Sequence, residues 1–264
     1  MEISLYNWVD LGFFEPKIAK DIILAGRECF NNYGINVIKF LQSYCWFAIC
    51  DSKNVHKYTI GINYFPSLPF SPEFDQYGGF VLMINKKFFD MFDINEKAFL
   101  LAHEMSHVEL KDIWREIEGL SHIEANIVED VTIHEIFTPP KTILNKAKIC
   151  TVETIFLSAG LNVLRHKDVV YYANEFLKLK QKMPEGPGGF PVSVTGDVGE
   201  ESASGVMKSK AEEMEGEKEI IDKIAEKISE KIKDTVRKRI GRELTKDEEK
   251  KIEEKIKSEI VSKG

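Results

Sequence analysis

The chain predicts an α+β fold: a small β-sheet packed on helices, one central helix carrying the chemistry, and a charged helical extension at the C-terminal end. Three observations predict it. Three short apolar runs, Trp46 to Cys50, Lys57 to Tyr64 and Phe80 to Asn85, have strand length and are bounded by polar or proline-containing segments. Around them lie stretches whose apolar residues recur at helical spacing. From Lys208 onward the composition narrows to Lys, Glu, Arg and Ile. A length of 264 residues allows one substantial domain and an appendage. We divide it into a domain over 1–183, a Gly/Pro/Ser-rich linker or loop over 184–207, and a helical tail over 208–264.

Pro16 to Asn32 is the first predicted helix. Pro16 sits in its first turn, Gly34 lies just past its end, and Ile18, Ile22, Ala25 and Cys29 share the face that turns to the core. Val37 to Leu41 is a short second helix. Trp46 to Cys50, the polar turn Asp51 to Asn54, and Lys57 to Tyr64 predict a hairpin. Pro66, Pro69 and Pro72 mark a loop before the third strand, Phe80 to Asn85. The central helix follows, with Asn95 as its N-cap. Leu120 to Phe137 is a further helix, halted by Pro139-Pro140. Thr151 to Ala159, ending at Gly160, and Asp168 to Lys180 come next, before the linker.

In the tail, Ile224, Ile228, Ile232, Val236, Ile240 and Leu244 recur every four residues. A step of four overshoots a helical turn, so this stripe creeps round the helix and makes a poor long coiled-coil seam. Gly241 interrupts it. Thr245-Lys246-Asp247-Glu248 is a capping-box signature for a fresh helix carrying Ile252, Ile256 and Ile260. The expectation is two amphipathic helices folded on each other, on a partner protein, or on a second copy of the chain; the other reading of this composition is charged helices that are simply solvated and dock weakly.

A net charge of −7, with no basic groove, argues against nucleic-acid binding. The four cysteines, Cys29, Cys45, Cys50 and Cys150, form no C-x-x-C pair and fit reduced core thiols. No apolar run reaches the length of a membrane span, and Met1 to Ser4 lacks the features of a signal peptide. Together these predict a cytoplasmic protein with no membrane partner.

Leu101-Ala102-His103-Glu104-Met105-Ser106-His107-Val108 contains H-E-x-x-H. Residues four apart on a helix lie one above the other, so His103 and His107 can offer two imidazoles to one metal ion. Glu104 is rotated from them by about 100° and can approach a water at the site without filling a coordination position. Two nitrogen ligands, a carboxylate base and an open position are what a zinc hydrolase needs.

The helix from Leu120 to Phe137 offers candidates for a third ligand. Asn126, Asp130 and His134 lie four apart on one face, Glu129 is next to Asp130, and His122 and Glu124 come earlier. The short metzincin pattern fails because Leu110 and Ile113 stand where it requires Gly and His. The gluzincin pattern fails because no Glu of this helix has Asp four residues later. Ile123-Glu124-Ala125-Asn126 is similar to the E-x-E-A-N/D stretch of some small H-E-x-x-H peptidases, but that ligand position falls on His122.

Several pieces match another pattern in order. Ile84-Asn85 with Phe88-Phe89 looks like an "N-P-x-F" opening, without the proline. The H-E-x-x-H segment follows, then Asn126-Ile127-Val128-Glu129-Asp130, then Val152-Glu153-Thr154-Ile155-Phe156, which is similar to "A-E-E-I-Y". Gly186 to Gly199, with Asp197, is similar to a glycine-rich loop. Over roughly residues 40–200 the chain resembles a metallopeptidase domain of bacteria, archaea and their viruses that often precedes a von Willebrand A-like domain. His134 stands where that family often has Asn, and no von Willebrand A-like segment follows within these 264 residues. The resemblance implies a zincin-like fold, in which a sheet edge borders the cleft and can pair with a peptide. It also implies that Asp130 supplies the acidic ligand beside His103 and His107. Glu129, His134 and His122 are the alternatives, Asn126 is an orienting group, and Glu124 is expected to face solvent.

The predicted function is a zinc-dependent metallopeptidase acting on a peptide or protein substrate, with one Zn²⁺ per chain and Glu104 as general base. A His-His-carboxylate set also suits Fe²⁺ and Mn²⁺. The alternative belongs to a different class: a catalytically weak or inactive metal-stabilised binding module whose tail recruits a partner protein. Structural zinc sites close with a fourth protein ligand, so a site completed by His134 would mark that alternative.

Overall fold

The computed structural model describes residues 3–52, 60–71, 74–112, 115–144, 146–147, 149–182 and 203–261. Part of the predicted Asp51 to Asn54 turn, Lys57 to Thr59, Pro72 and the glycine-rich Gly186 to Gly199 lie outside them.

Two elements precede the first predicted helix. They are β1 (Ile3–Tyr6) and α1 (Trp8–Phe14), where Asn7 Oδ1 caps the helix by accepting from the Asp10 N–H at 2.8 Å. α2 (Pro16–Tyr33) begins at Pro16 and closes on Gly34 at φ 74°, a left-handed conformation that favours glycine. α3 (Val37–Tyr44) leads into β2 (Cys45–Cys50), followed by β3 (Ile60–Ser71) and β4 (Phe74–Asn85). Then come α4 (Lys86–Asp90), α5 (Ile94–Glu109), α6 (His122–Ile136), α7 (Lys141–Leu144) and α8 (Val152–Ile155). A 3₁₀ turn at Leu157–Ala159 ends at Gly160, and α9 (Val169–Lys182), α10 (Ala203–Ile240) and α11 (Lys246–Val261) complete the order. α10 begins at Ala203, within the segment expected to be linker. Among the described residues no helix is long and apolar enough to cross a membrane.

The strands form one sheet in the order β1-β2-β4-β3, with β2 and β4 parallel and the other pairs antiparallel. The expected hairpin between Trp46–Cys50 and Lys57–Tyr64 is therefore corrected: the hairpin is β3–β4, and β2 lies across β4 from β3. The register explains the choice. Ile60 stands opposite Ile84 and Ile62 opposite Leu82, so both strands present apolar side chains to the same face. The proline loop is corrected too, because Pro66 and Pro69 lie within β3. That strand is at the edge of the sheet, where proline is tolerated, and its register shifts on either side of Pro69.

Both faces of the sheet are buried. Along β2, Cys45, Phe47 and Ile49 join one core with side chains of α2, α3 and α5. Trp46, Ala48 and Cys50 join a second with Ile220, Ile224, Ala225, Ile228 and Ile256 of α10 and α11. A strand apolar at every position is what burial on both faces requires, and the tail supplies the second cover. The stripe creeps as its spacing predicts: Ile224 and Ile228 are buried, Ile232 is partly so, and Ile240 is exposed. Lys233 reaches Glu253 at 2.7 Å and Arg237 reaches Glu249 at 2.6 Å, which ties α10 to α11. Replacing Ile228 with Ala should cost about 2–5 kcal/mol in urea denaturation, the usual penalty for truncating a core aliphatic side chain. A loss below about 0.5 kcal/mol, the range of ordinary surface changes, would mean that the tail does not cover the sheet.

A third core gathers Ile127, Val128 and Val131 of α6 with Val152, Ile155 and Phe156 and with Tyr172 and Phe176 of α9. α5 belongs to the first core and α6 to the third, and the candidate site lies where these helices meet.

Candidate metal centre

The N-cap of α5 lies two residues earlier than predicted. Asp93, not Asn95, is the N-cap, because Asp93 and Glu96 close a reciprocal box: the Asp93 N–H donates to Glu96 Oε2 at 2.8 Å and the Glu96 N–H to Asp93 Oδ1 at 2.9 Å. Lys97 pairs with Asp21 of α2 at 2.5 Å and Lys146 with Glu96 at 2.6 Å, so α5 is held at its N-terminal end by ion pairs as well as by burial. α6 opens with the same device, Ser121 with Glu124. Glu124 was expected to face solvent. It is instead buried, closing that box and pairing with Lys180 at 2.8 Å.

These two helices bring His103, His107 and Asp130 together. His103 Nε2 and His107 Nε2 are 3.2 Å apart, and Asp130 Oδ1 lies 3.4 Å from the first and 3.2 Å from the second. Four ligands around an ion at zinc-like distances of roughly 2.0–2.1 Å have neighbouring donor atoms about 3.3 Å apart. The triangle therefore has the edge length of one face of such a tetrahedron. Among the described residues, no fourth His, Cys, Asp or Glu atom joins it. The donor set of two nitrogens and one carboxylate oxygen suits a borderline divalent cation.

The two histidines are oriented by different means. His103 is held by rings: His134 stacks on it with centroids 4.8 Å apart and planes 22° from parallel, and Phe99 lies beside both, 5.7 Å from His134 and 6.4 Å from His103. His107 is held by an ion-pair contact, its Nδ1 lying 3.3 Å from Asp112 Oδ2. Burial drives the pKa of His103 from 6.5 down to about 3 against the pull of Asp130. On His107 burial works the same way, but Asp112 and Asp130 overcome it and raise the pKa to about 10.

The remaining predicted residues have separate places. Glu104 is buried and close enough to His107 to favour its protonated form. His134 is outside the triangle, and its Nδ1 meets the Cys150 carbonyl oxygen at 2.6 Å. Glu129 is buried beside His107 and Asp112 rather than beside His103; burial first, then Asp112, raises its pKa to about 8. Asn126 is half-buried one turn before Asp130, with its Oδ1 enclosed. His122, the first residue of α6, is exposed two turns before Asp130 and is not part of the cluster.

Asp112 was missed by sequence reasoning. It is five residues past His107 and beyond the end of α5, so helical spacing says nothing about it. Its place depends on Lys111, which adopts φ 62° and turns the chain back under the helix. That left-handed conformation costs a non-glycine residue roughly 1–2 kcal/mol. Compared with protein-family models, with curated proteins and with solved structures, the chain gave no match.

Proposed function

We propose that the chain is a zinc-dependent metallopeptidase with a zincin-like arrangement, in which His103, His107 and Asp130 hold the ion and Glu104 is the general base. The observation that carries this reading is the triangle of donor atoms, 3.2, 3.2 and 3.4 Å on its edges, with a buried glutamate next to one of the histidines in the chain. A bound zinc ion supplies a Lewis acid and lowers the pKa of its water to about 7. Glu104 would be the base that accepts a proton from water at the site and the acid that passes it to the leaving amine. The outer edge of β3 offers a peptide a strand to pair with, beside α5.

The binding-module reading has less support, since it requires a fourth protein ligand. His134, its best candidate, lies flat against His103 and turns Nδ1 to the Cys150 carbonyl.

Metal analysis by mass spectrometry on the purified wild-type protein, followed by cleavage of a peptide library, tests the proposal. We expect one zinc per chain and cleavage that a chelator stops and zinc restores. No metal after zinc is supplied would end the metal-centre reading, and bound zinc with no cleavage would leave the binding module in its place.

A further inference from the structure

Asp112 is a carboxylate that the triangle does not need as a ligand, yet it is closely engaged. Its side chain is 2% exposed, its Oδ2 lies 3.3 Å from His107 Nδ1, and its Oδ1 lies 2.7 Å from Arg115 Nη1. Arg115 donates from Nη2 to the Leu110 carbonyl at 2.6 Å, which ties the guanidinium to the end of the same helix. The left-handed Lys111 makes the reversal that brings Asp112 under His107.

We propose that Asp112 is a positioning residue of the metal centre. With its Oδ2 3.3 Å from His107 Nδ1, it holds the ring with Nε2 turned toward His103 and Asp130. A carboxylate in that place also makes Nε2 a stronger donor. Arg115, with Nη1 2.7 Å from Asp112 Oδ1, holds the carboxylate in that place. The proposal rests on the metal-centre reading above.

The competing assignment makes Asp112 a ligand itself, since His107, Asp112 and Glu129 offer atoms within 4.8 Å of one another. Arg115 opposes it: a divalent cation there would sit against a guanidinium already bound to Asp112. One imidazole ring would also have to serve two ions.

Zinc dissociation constants, measured on the full chain by competition with a chromogenic chelator, decide between them. We expect one zinc per wild-type chain, and an affinity about 10–100-fold weaker in Asp112→Ala. Asp112→Asn keeps the shape and an acceptor but loses the charge. It should fall between wild type and Ala, and a loss of about threefold or more carries the proposal if the Ala variant does not fold. Melting of the zinc-free proteins separates this from a structural role, which would lower the melting temperature and leave the affinity unchanged. Affinity within about twofold of wild type in both variants would overturn the proposal. So would two zinc ions per wild-type chain with one lost in Asp112→Ala, which would make Asp112 a ligand. A wild-type chain that binds no zinc removes the metal centre and the proposal together.

Discussion

Replacing Glu104 with Gln should lower the rate of peptide hydrolysis by about 10²–10⁴-fold, the usual contribution of a general base, while the protein still carries one zinc per chain. The expectation follows from the division of labour on α5. His103 and His107 put their Nε2 atoms 3.2 Å apart and toward Asp130, whereas Glu104, one residue along the helix, is not among the donors of that triangle. The amide keeps the volume of the buried side chain but has no basic oxygen to take a proton from water. Turnover would be followed on a peptide found by library cleavage, with zinc content measured on the same samples. Loss of zinc together with activity would place Glu104 in the binding of the ion. Full activity with zinc retained would remove it from the mechanism.

Asp130→Ala should release the ion. It removes two of the triangle's edges and leaves a pair of imidazoles, so zinc affinity should fall by more than the roughly 10–100-fold expected for an orienting residue. The effect should extend to stability. Asp130 comes from a helix buried in the third core, while both histidines come from a helix buried in the first. An ion held by all three side chains therefore staples the two cores together. Mass action sets the size of the effect: a ligand at a hundred times its dissociation constant stabilises by about 2.7 kcal/mol. The wild-type melting temperature should drop when a chelator is added, and that of Asp130→Ala should not change. Equal sensitivity of the two proteins would show that Asp130 is not a ligand and would move attention to Glu129.

What could be read from the residues alone is what depends on local periodicity. The i, i+4 spacing of His103 and His107 puts both rings on one face of any helix, whatever that helix packs against. The helix over Pro16 to Asn32 declares itself by Pro16, Gly34 and the Ile18, Ile22, Ala25 and Cys29 face. Thr245 and Glu248 close a box in the structure, with the Thr245 N–H donating to Glu248 Oε2 at 2.8 Å, as that short signature predicts. The Asp93-to-Glu96 box carries the same kind of local signal, an Asp followed three residues later by Glu.

What only the tertiary structure decided is what joins distant segments, because no local period encodes it. β2 and β4 are paired in parallel although β3 intervenes in sequence, so the partner of Trp46 to Cys50 depends on which face each strand must bury. The continuous apolar character of that strand required a second cover. That the cover is Ile224, Ile228 and Ile256 follows from the packing of a tail whose composition alone reads as solvated. At the site, the helix over Leu120 to Phe137 presented several acids and histidines on neighbouring faces. The crossing of α5 and α6 selects Asp130, turns Glu129 toward Asp112 and leaves His122 in solvent. Asp112 reaches His107 through a single left-handed residue, Lys111, a backbone choice that side-chain chemistry does not announce.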